Sequence, residues 1–189
     1  MDDNKRIKTK AQLKEYLDTE LALYPVKGLR QWIAYFFQIG ERDVLRKYIK
    51  LMRKAEYHQN AGHRLRGIFY FTRFTRLQTK TGVHMPINCC GKGLSIAHLE
   101  PCGFTTGTVV GENCRLHTVS FTMCDSDGVA PVIGDNVIIG MGSMIIGGVT
   151  IADNITIGAG AVVTKSFLEP GITIAGVPAK KISDSRKTF

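Results

Sequence analysis

The sequence predicts a mainly β chain, a parallel β-solenoid, with an α-helical N-terminal domain in front of it. Two periodicities carry that prediction. From Ile133 on, every sixth residue is Ile or Val: Ile133, Ile139, Ile145, Ile151, Ile157 and Val163. Before Gly82 the apolar residues recur instead at three and four. The change of period near Gly82 divides the chain into residues 1–80, helical, and 81–189, solenoidal, with a C-terminal tail.

The helical part reads as four segments. Thr9 is placed to cap a helix that begins near Lys10 and carries Leu13, Tyr16, Leu17 and Leu21 on one face. Leu29, Trp32, Ile33, Phe36 and Phe37 repeat the pattern, as do Val44, Leu45, Tyr48, Ile49 and Met52. The last segment, His63 to Leu77, carries Leu65, Ile68, Phe69, Phe74 and Leu77. Pro25, Gly28, Gly40 and Gly62 separate these stretches.

A period of six cannot keep one face of an α-helix, because six steps of about 100° turn the side chain away. A fixed short period marks a solenoid, in which an inward residue of one coil stacks on its equivalent in the next. Gly134, Gly140, Ala152 and Gly158 follow four of the six aliphatics, as residues at a crowded corner would. Small or β-branched residues, Val137, Ser143, Val149, Ile155 and Ala161, sit four places on. Val110, Leu116 and Thr122 form an earlier run of the same spacing. Eleven residues separate Thr122 from Ile133, so the segment 121–130 contains a loop that leaves the repeat. Such loops on a rigid scaffold tend to carry function.

Composition bounds the function classes. The net charge is +9. Residues 1–80 hold 18 Lys and Arg against 8 Asp and Glu, whereas residues 81–189 hold 7 against 8. No nucleic-acid motif accompanies the basic half, so nucleic acid is not an expected partner. No run of 18 apolar residues is present, and the polar start Met1–Lys5 lacks the apolar stretch of a secretory signal. Five cysteines, an odd number without a C-x-x-C pair, fit reduced thiols and a cytoplasmic location. No metal is expected: the solenoid half has only His84, His98 and His117 and no His-x4-His pair. Arg64 to Lys80 mixes cations with aromatics. Packing of its apolar face explains it better than a membrane surface does, though the latter composition is similar.

Three strings carry a resemblance: Gly91-Lys-Gly-Leu-Ser-Ile-Ala-His98, Thr106-Gly-Thr-Val-Val-Gly-Glu-Asn113, and the closing Ile174-Ala-Gly-Val-Pro-Ala-Lys180. Together with the sixfold repeats they resemble the hexapeptide-repeat acyltransferases, and among them the serine acetyltransferases. The helical half and Gly91 to His98 are more similar to members associated with surface polysaccharides. That resemblance implies a left-handed parallel β-helix and an acetyl-CoA-dependent O-acetyltransferase. It implies homotrimers, in some members paired as a dimer of trimers, with acetyl-CoA in the groove between subunits. The acceptor would be a sugar hydroxyl of a polysaccharide precursor or L-serine.

The resemblance also suggests roles. His98 matches the catalytic histidine, and a neutral imidazole suits removal of a proton from an alcohol. The backbone of Gly140-Met141-Gly142 is a candidate source of N–H donors to the thioester oxyanion. Gly158, Ala159, Gly160 and Gly176 would let a pantetheine arm approach, and Lys165 and Lys180 would meet CoA phosphates. His117, one coil after His98, and Asp125 and Asp127, in the excursion loop, are candidates for acceptor binding. Three positions depart from the serine pattern. Ala97 replaces the Asp before the histidine, and Ala130 replaces a second histidine before Pro131. The stretch Thr81–Pro86 lacks the acid that orients the base, for which His84 or Glu100 could substitute. These departures tilt the expectation toward the sugar. The end Lys187-Thr188-Phe189 lacks the C-terminal Ile through which such enzymes bind the next cysteine-pathway enzyme. A γ-carbonic-anhydrase-like metalloenzyme and a non-catalytic scaffold are the alternatives.

Overall fold

The six-residue spacing becomes a three-sided coil in the computed structural model, which describes residues 6–186. Met1–Lys5 and Lys187–Phe189 lie outside the described residues. The chain divides at Thr81/Gly82 into two compact units.

The solenoid makes about five coils whose strands form three parallel sheets. One face holds β1 (Val83–His84), β3 (Cys102–Gly103), β6 (Phe121–Met123), β9 (Met144–Ile146) and β12 (Val162–Val163). The second holds β4 (Val109–Val110), β7 (Val132–Ile133) and β10 (Thr150–Ile151), extended by single bridges to Cys90 and Phe167. The third holds β2 (Ser95–Ile96), β5 (Arg115–Leu116), β8 (Ile138–Ile139), β11 (Thr156–Ile157) and β13 (Thr173–Ala175). An antiparallel strand, β14 (Lys180–Ser183), closes its edge.

Register explains the period. Leu116, Ile139, Ile157 and Ile174 are partners in successive coils, as are Val110, Ile133 and Ile151, and Thr122, Ile145 and Val163. All of these are buried, and so are Val137, Ser143, Val149, Ile155 and Ala161. Gly134 and Gly140 are required by crowding: a Cβ would fall 2.3 Å from Asp153 Oδ1 and 2.5 Å from the Ile157 carbonyl oxygen, respectively. The turns after β4, β7 and β10 use left-handed Asn113, Asn136 and Asn154. There Asp135 Oδ1 accepts from the Glu112 N–H at 2.7 Å, and Asp153 Oδ1 accepts from the Asp135 N–H at 2.7 Å, tying each coil to its predecessor.

The helical unit consists of α1 (Lys10–Leu21), α2 (Gly28–Phe37), α3 (Glu41–Asn60) and α4 (Arg64–Thr81). Thr9 caps α1 in a reciprocal box with Gln12. The central α3 packs on the other three helices through Leu45, Tyr48, Ile49 and Met52, with Tyr48 edge-on to Phe74 of α4 at 5.0 Å. Within this core Arg53 donates to both oxygens of Glu20 (2.6 and 3.0 Å) and to Glu56 (2.9 Å), all three side chains being fully buried. The Glu20 and Glu56 carboxylates outweigh the effect of burial and hold the guanidinium well above its ordinary pKa.

The expectation of a packed face fails on α2. Leu29, Trp32, Ile33, Phe36 and Phe37 are all exposed, because α2 meets α3 through its other side, where Arg46 and Lys50 stack on Tyr35. On α4, Phe74 and Leu77 are buried against the unit, while Leu65, Ile68 and Phe69 are exposed. Among the described residues no helix is long and apolar enough to cross a membrane.

All five cysteines are free, and only Cys124 is exposed. Burial pushes the thiols of Cys102 and Cys114 up to about 12, which suppresses the reactive thiolate. One fast equivalent of a maleimide per native chain is therefore expected, lost in Cys124→Ser. Two fast equivalents measured by mass spectrometry would contradict this burial.

Candidate active site

His98 lies just past β2, at the corner between the third face and the first, and is exposed. The Ala97 N–H donates to the Leu116 carbonyl (2.9 Å), which locks the start of this corner to the next coil. One coil on, His117 follows β5, and its N–H donates to the Ile139 carbonyl (2.9 Å). The pairing Ile96–Leu116 continues to set Ala97 over His117, so His98 and His117 are neighbours on one edge. Arg115 Nε–H donates to His117 Nε2 at 3.1 Å. Partial burial, then Arg115 and His98, lower the His117 pKa. Because Nε2 accepts from Arg115, the ring proton of the neutral form sits on Nδ1. Sequence reasoning placed His117 correctly by coil but missed Arg115. The i, i+2 spacing on a strand, which puts both side chains on one face, was the available signal.

The same edge runs on through the later coils. Met141, Ala159 and Gly176 stand two residues beyond the stacked Ile139, Ile157 and Ile174, as His98 stands beyond Ile96. Gly140, Gly142, Gly158, Ala159, Gly160 and Gly176 therefore share one edge with the two histidines. Within the stretch Gly140-Met141-Gly142, the two glycine N–H groups are already taken. Gly140 N–H donates to Ile157 O (2.9 Å) and Gly142 N–H to Thr118 O (3.0 Å). Gly158 and Gly160 are bonded likewise, to Ile174 O and Met141 O (both 2.8 Å). The solenoid ladder consumes these donors. The exposed N–H groups of Met141 and Ala159, between them, have no acceptor among the described residues. Behind the edge, Ser120 and Ser143 hydroxyls donate to the Gly140 carbonyl (2.7 and 2.8 Å) and hold it in place.

Other candidates lie elsewhere. Lys165 follows β12 toward a different corner, with its ammonium over the Phe167 ring at 5.5 Å. Asp125 and Asp127 belong to the loop that leaves after β6, also off the His98 corner. The Asp125 carboxylate accepts N–H groups from Val129 (2.8 Å), Asp127 (3.0 Å) and Gly148 (3.3 Å), which lower its pKa. It pins its own loop, while Asp127 is exposed. Lys180 is exposed at the start of β14, opposite Ala175 at the C-terminal end of the edge. Its neighbour Lys181 is occupied by Glu169 and Asp184. His84 and Glu100 are exposed. Among the described residues no three His, Cys, Asp or Glu side chains converge as metal ligands would. A pocket of about 420 Å³ lies in the helical unit against His58, His63 and Phe71, and holds none of the candidates above.

Comparison with known proteins agrees with this architecture. The family described as "Bacterial transferase hexapeptide (six repeats)" matches residues 130–165. The serine acetyltransferase of Mycobacterium tuberculosis is 32% identical over 148 residues, covering 68% of this chain and 61% of that protein. The Buchnera aphidicola serine acetyltransferase is 32% identical over 129 residues, 61% of this chain and 47% of that protein. The chain spans less than two thirds of the length of these curated relatives. The Neisseria gonorrhoeae serine acetyltransferase in complex with serine superposes with a TM-score of 0.65 at 22% identity, over 92% of this chain and 70% of that one. The Brucella abortus serine acetyltransferase in complex with coenzyme A gives 0.63 at 21%, over 93% and 68%. Residues 130–165 thus match the hexapeptide-repeat transferase model, and the chain, with its stacked six-residue rungs and helical N-terminal unit, is similar to serine acetyltransferases in sequence and in fold.

Proposed function

We propose that the chain transfers an acetyl group from acetyl-CoA to the hydroxyl of a small acceptor, with L-serine the leading one. The observation that carries this reading is the edge headed by His98. It offers an exposed imidazole at one end and an open strip of backbone, with the unpaired Met141 and Ala159 amides, along the rest. His98 removes the hydroxyl proton as the oxygen attacks the thioester carbonyl, and the C–S bond then breaks, the CoA thiolate leaving with that proton returned from the imidazole. Gly158, Ala159, Gly160 and Gly176 leave room for the pantetheine arm, and the exposed amides can bond its carbonyls. Lys180, at the end of the edge, meets a phosphate. Of the stretch Gly140-Met141-Gly142, Met141 supplies the donor to the reacting carbonyl, the two glycine N–H groups being bonded in the ladder. In a homotrimer, the expected assembly, a cleft forms between the His98 edge of one chain and another corner of the next. Lys165 and the Asp125–Asp127 loop reach the cleft from that neighbour.

Serine as acceptor draws support from the two relatives named above, both serine acetyltransferases, and from a structural neighbour solved in complex with serine. A polysaccharide sugar draws none from them. Ala97 and Ala130 are the observation that keeps it as the second reading. The deciding experiment follows free CoA release by the purified chain with L-serine and, separately, with nucleotide sugars, and identifies the product by mass spectrometry. O-acetylserine is expected. Turnover with sugars alone moves the acceptor to the second reading, and turnover with neither removes the enzyme reading.

A further inference from the structure

We infer that Arg115 and His117 form a seat for a carboxylate on the acceptor, one coil from His98. This inference rests on the acyl-transfer reading and names what that site selects. Arg115 is exposed on the outer side of β5 and has no acidic partner among the described residues. Its Nε–H is given to His117 Nε2 (3.1 Å), which fixes the plane of the guanidinium and leaves its two Nη groups for a ligand. A planar fork of this kind matches a carboxylate with two parallel hydrogen bonds. The same bond fixes the imidazole as the Nδ1–H tautomer, a further donor on the edge.

Spacing supports the assignment. Adjacent coils in a parallel sheet are about 4.8 Å apart. The hydroxyl and carboxylate of a β-hydroxy-α-amino acid span a comparable distance. A hydroxyl at His98 thus brings a carboxylate to the next coil, where Arg115 and His117 stand. The pair also fits the charge of this half, which is otherwise close to neutral.

The test deletes the charge from each side in turn. Wild-type protein is expected to prefer L-serine over L-serinamide in kcat/KM. In Arg115→Gln that preference falls by about tenfold or more, through the KM for L-serine. Arg115→Lys recovers it only in part, because an ammonium lacks the fork. The KM for acetyl-CoA stays put. If Arg115→Gln instead raises the KM for acetyl-CoA and keeps the serine preference, the anion is a CoA phosphate and the inference is overturned. It is equally overturned if no parameter moves. The seat can be read without turnover, so its failure is separable from failure of the enzyme reading. In protein with 15N-labelled histidine, L-serine shifts the His117 ring signals and L-serinamide does not, and Arg115→Gln abolishes the shift. Absence of any shift with L-serine rejects the seat, whatever the enzyme does.

Discussion

His98→Ala is expected to lower acetyl transfer by about a hundred- to ten-thousand-fold, the usual contribution of a positioned general base. The side chain is exposed at a corner, and the backbone bonds that shape this corner come from Ala97 and from the next coil. Stability should therefore stay within the small range of surface substitutions, about 0.5 kcal/mol. The loss belongs in kcat, because the imidazole acts on the proton in flight rather than on bound CoA. Steady-state kinetics with a proven acceptor, beside thermal unfolding of the same preparation, separates the two effects. Full activity in the variant would transfer the base role to another group, with His117 the nearest imidazole.

The second large effect concerns stability. Arg53→Ala is expected to destabilise the helical unit by about 3–5 kcal/mol. Arg53 pairs with both Glu20 and Glu56, and all three are sealed from water. Removing it takes the guanidinium from two buried carboxylates that have little access to solvent. Arg53→Met combined with Glu20→Leu and Glu56→Leu should recover most of the loss, since no charge is then stranded. Urea unfolding followed by far-UV circular dichroism measures both. Equal midpoints for Arg53→Ala and wild type would mean that water reaches this cluster.

The residues differ in how much of this they disclose in advance. Ile133 to Val163 announce the coil because a fixed short period has no other structural use, and each proves to be stacked and buried. The helices before Gly82 are equally legible from spacing and from the Thr9 cap. What spacing cannot tell is what covers an apolar face. Leu29, Trp32 and Phe36 carry the same pattern as Leu45, Tyr48 and Met52, yet only the second set is buried against the described residues. The Arg53–Glu20 pair joins positions 33 apart, and nothing local points to it. At the site, the residue types on the edge were readable from resemblance. The state of their backbone donors was not, because register alone decides that Gly140 and Gly142 are spent in the ladder while Met141 is not.

Register has one more consequence, for how such a molecule can change its length. Thr156 stacks on Ile138, eighteen positions earlier, whereas Ile138 stacks on Arg115, twenty-three earlier. The surplus is accommodated where the chain swings outward between Met123 and Val132. Insertions and deletions are thus absorbed at that bend at little cost, since the stacked partners above and below remain in phase. A single residue added inside a six would push every later aliphatic out of the core. Within the strictly periodic stretch 132–163, growth or shortening proceeds by whole turns, each adding or removing about 4.8 Å of height.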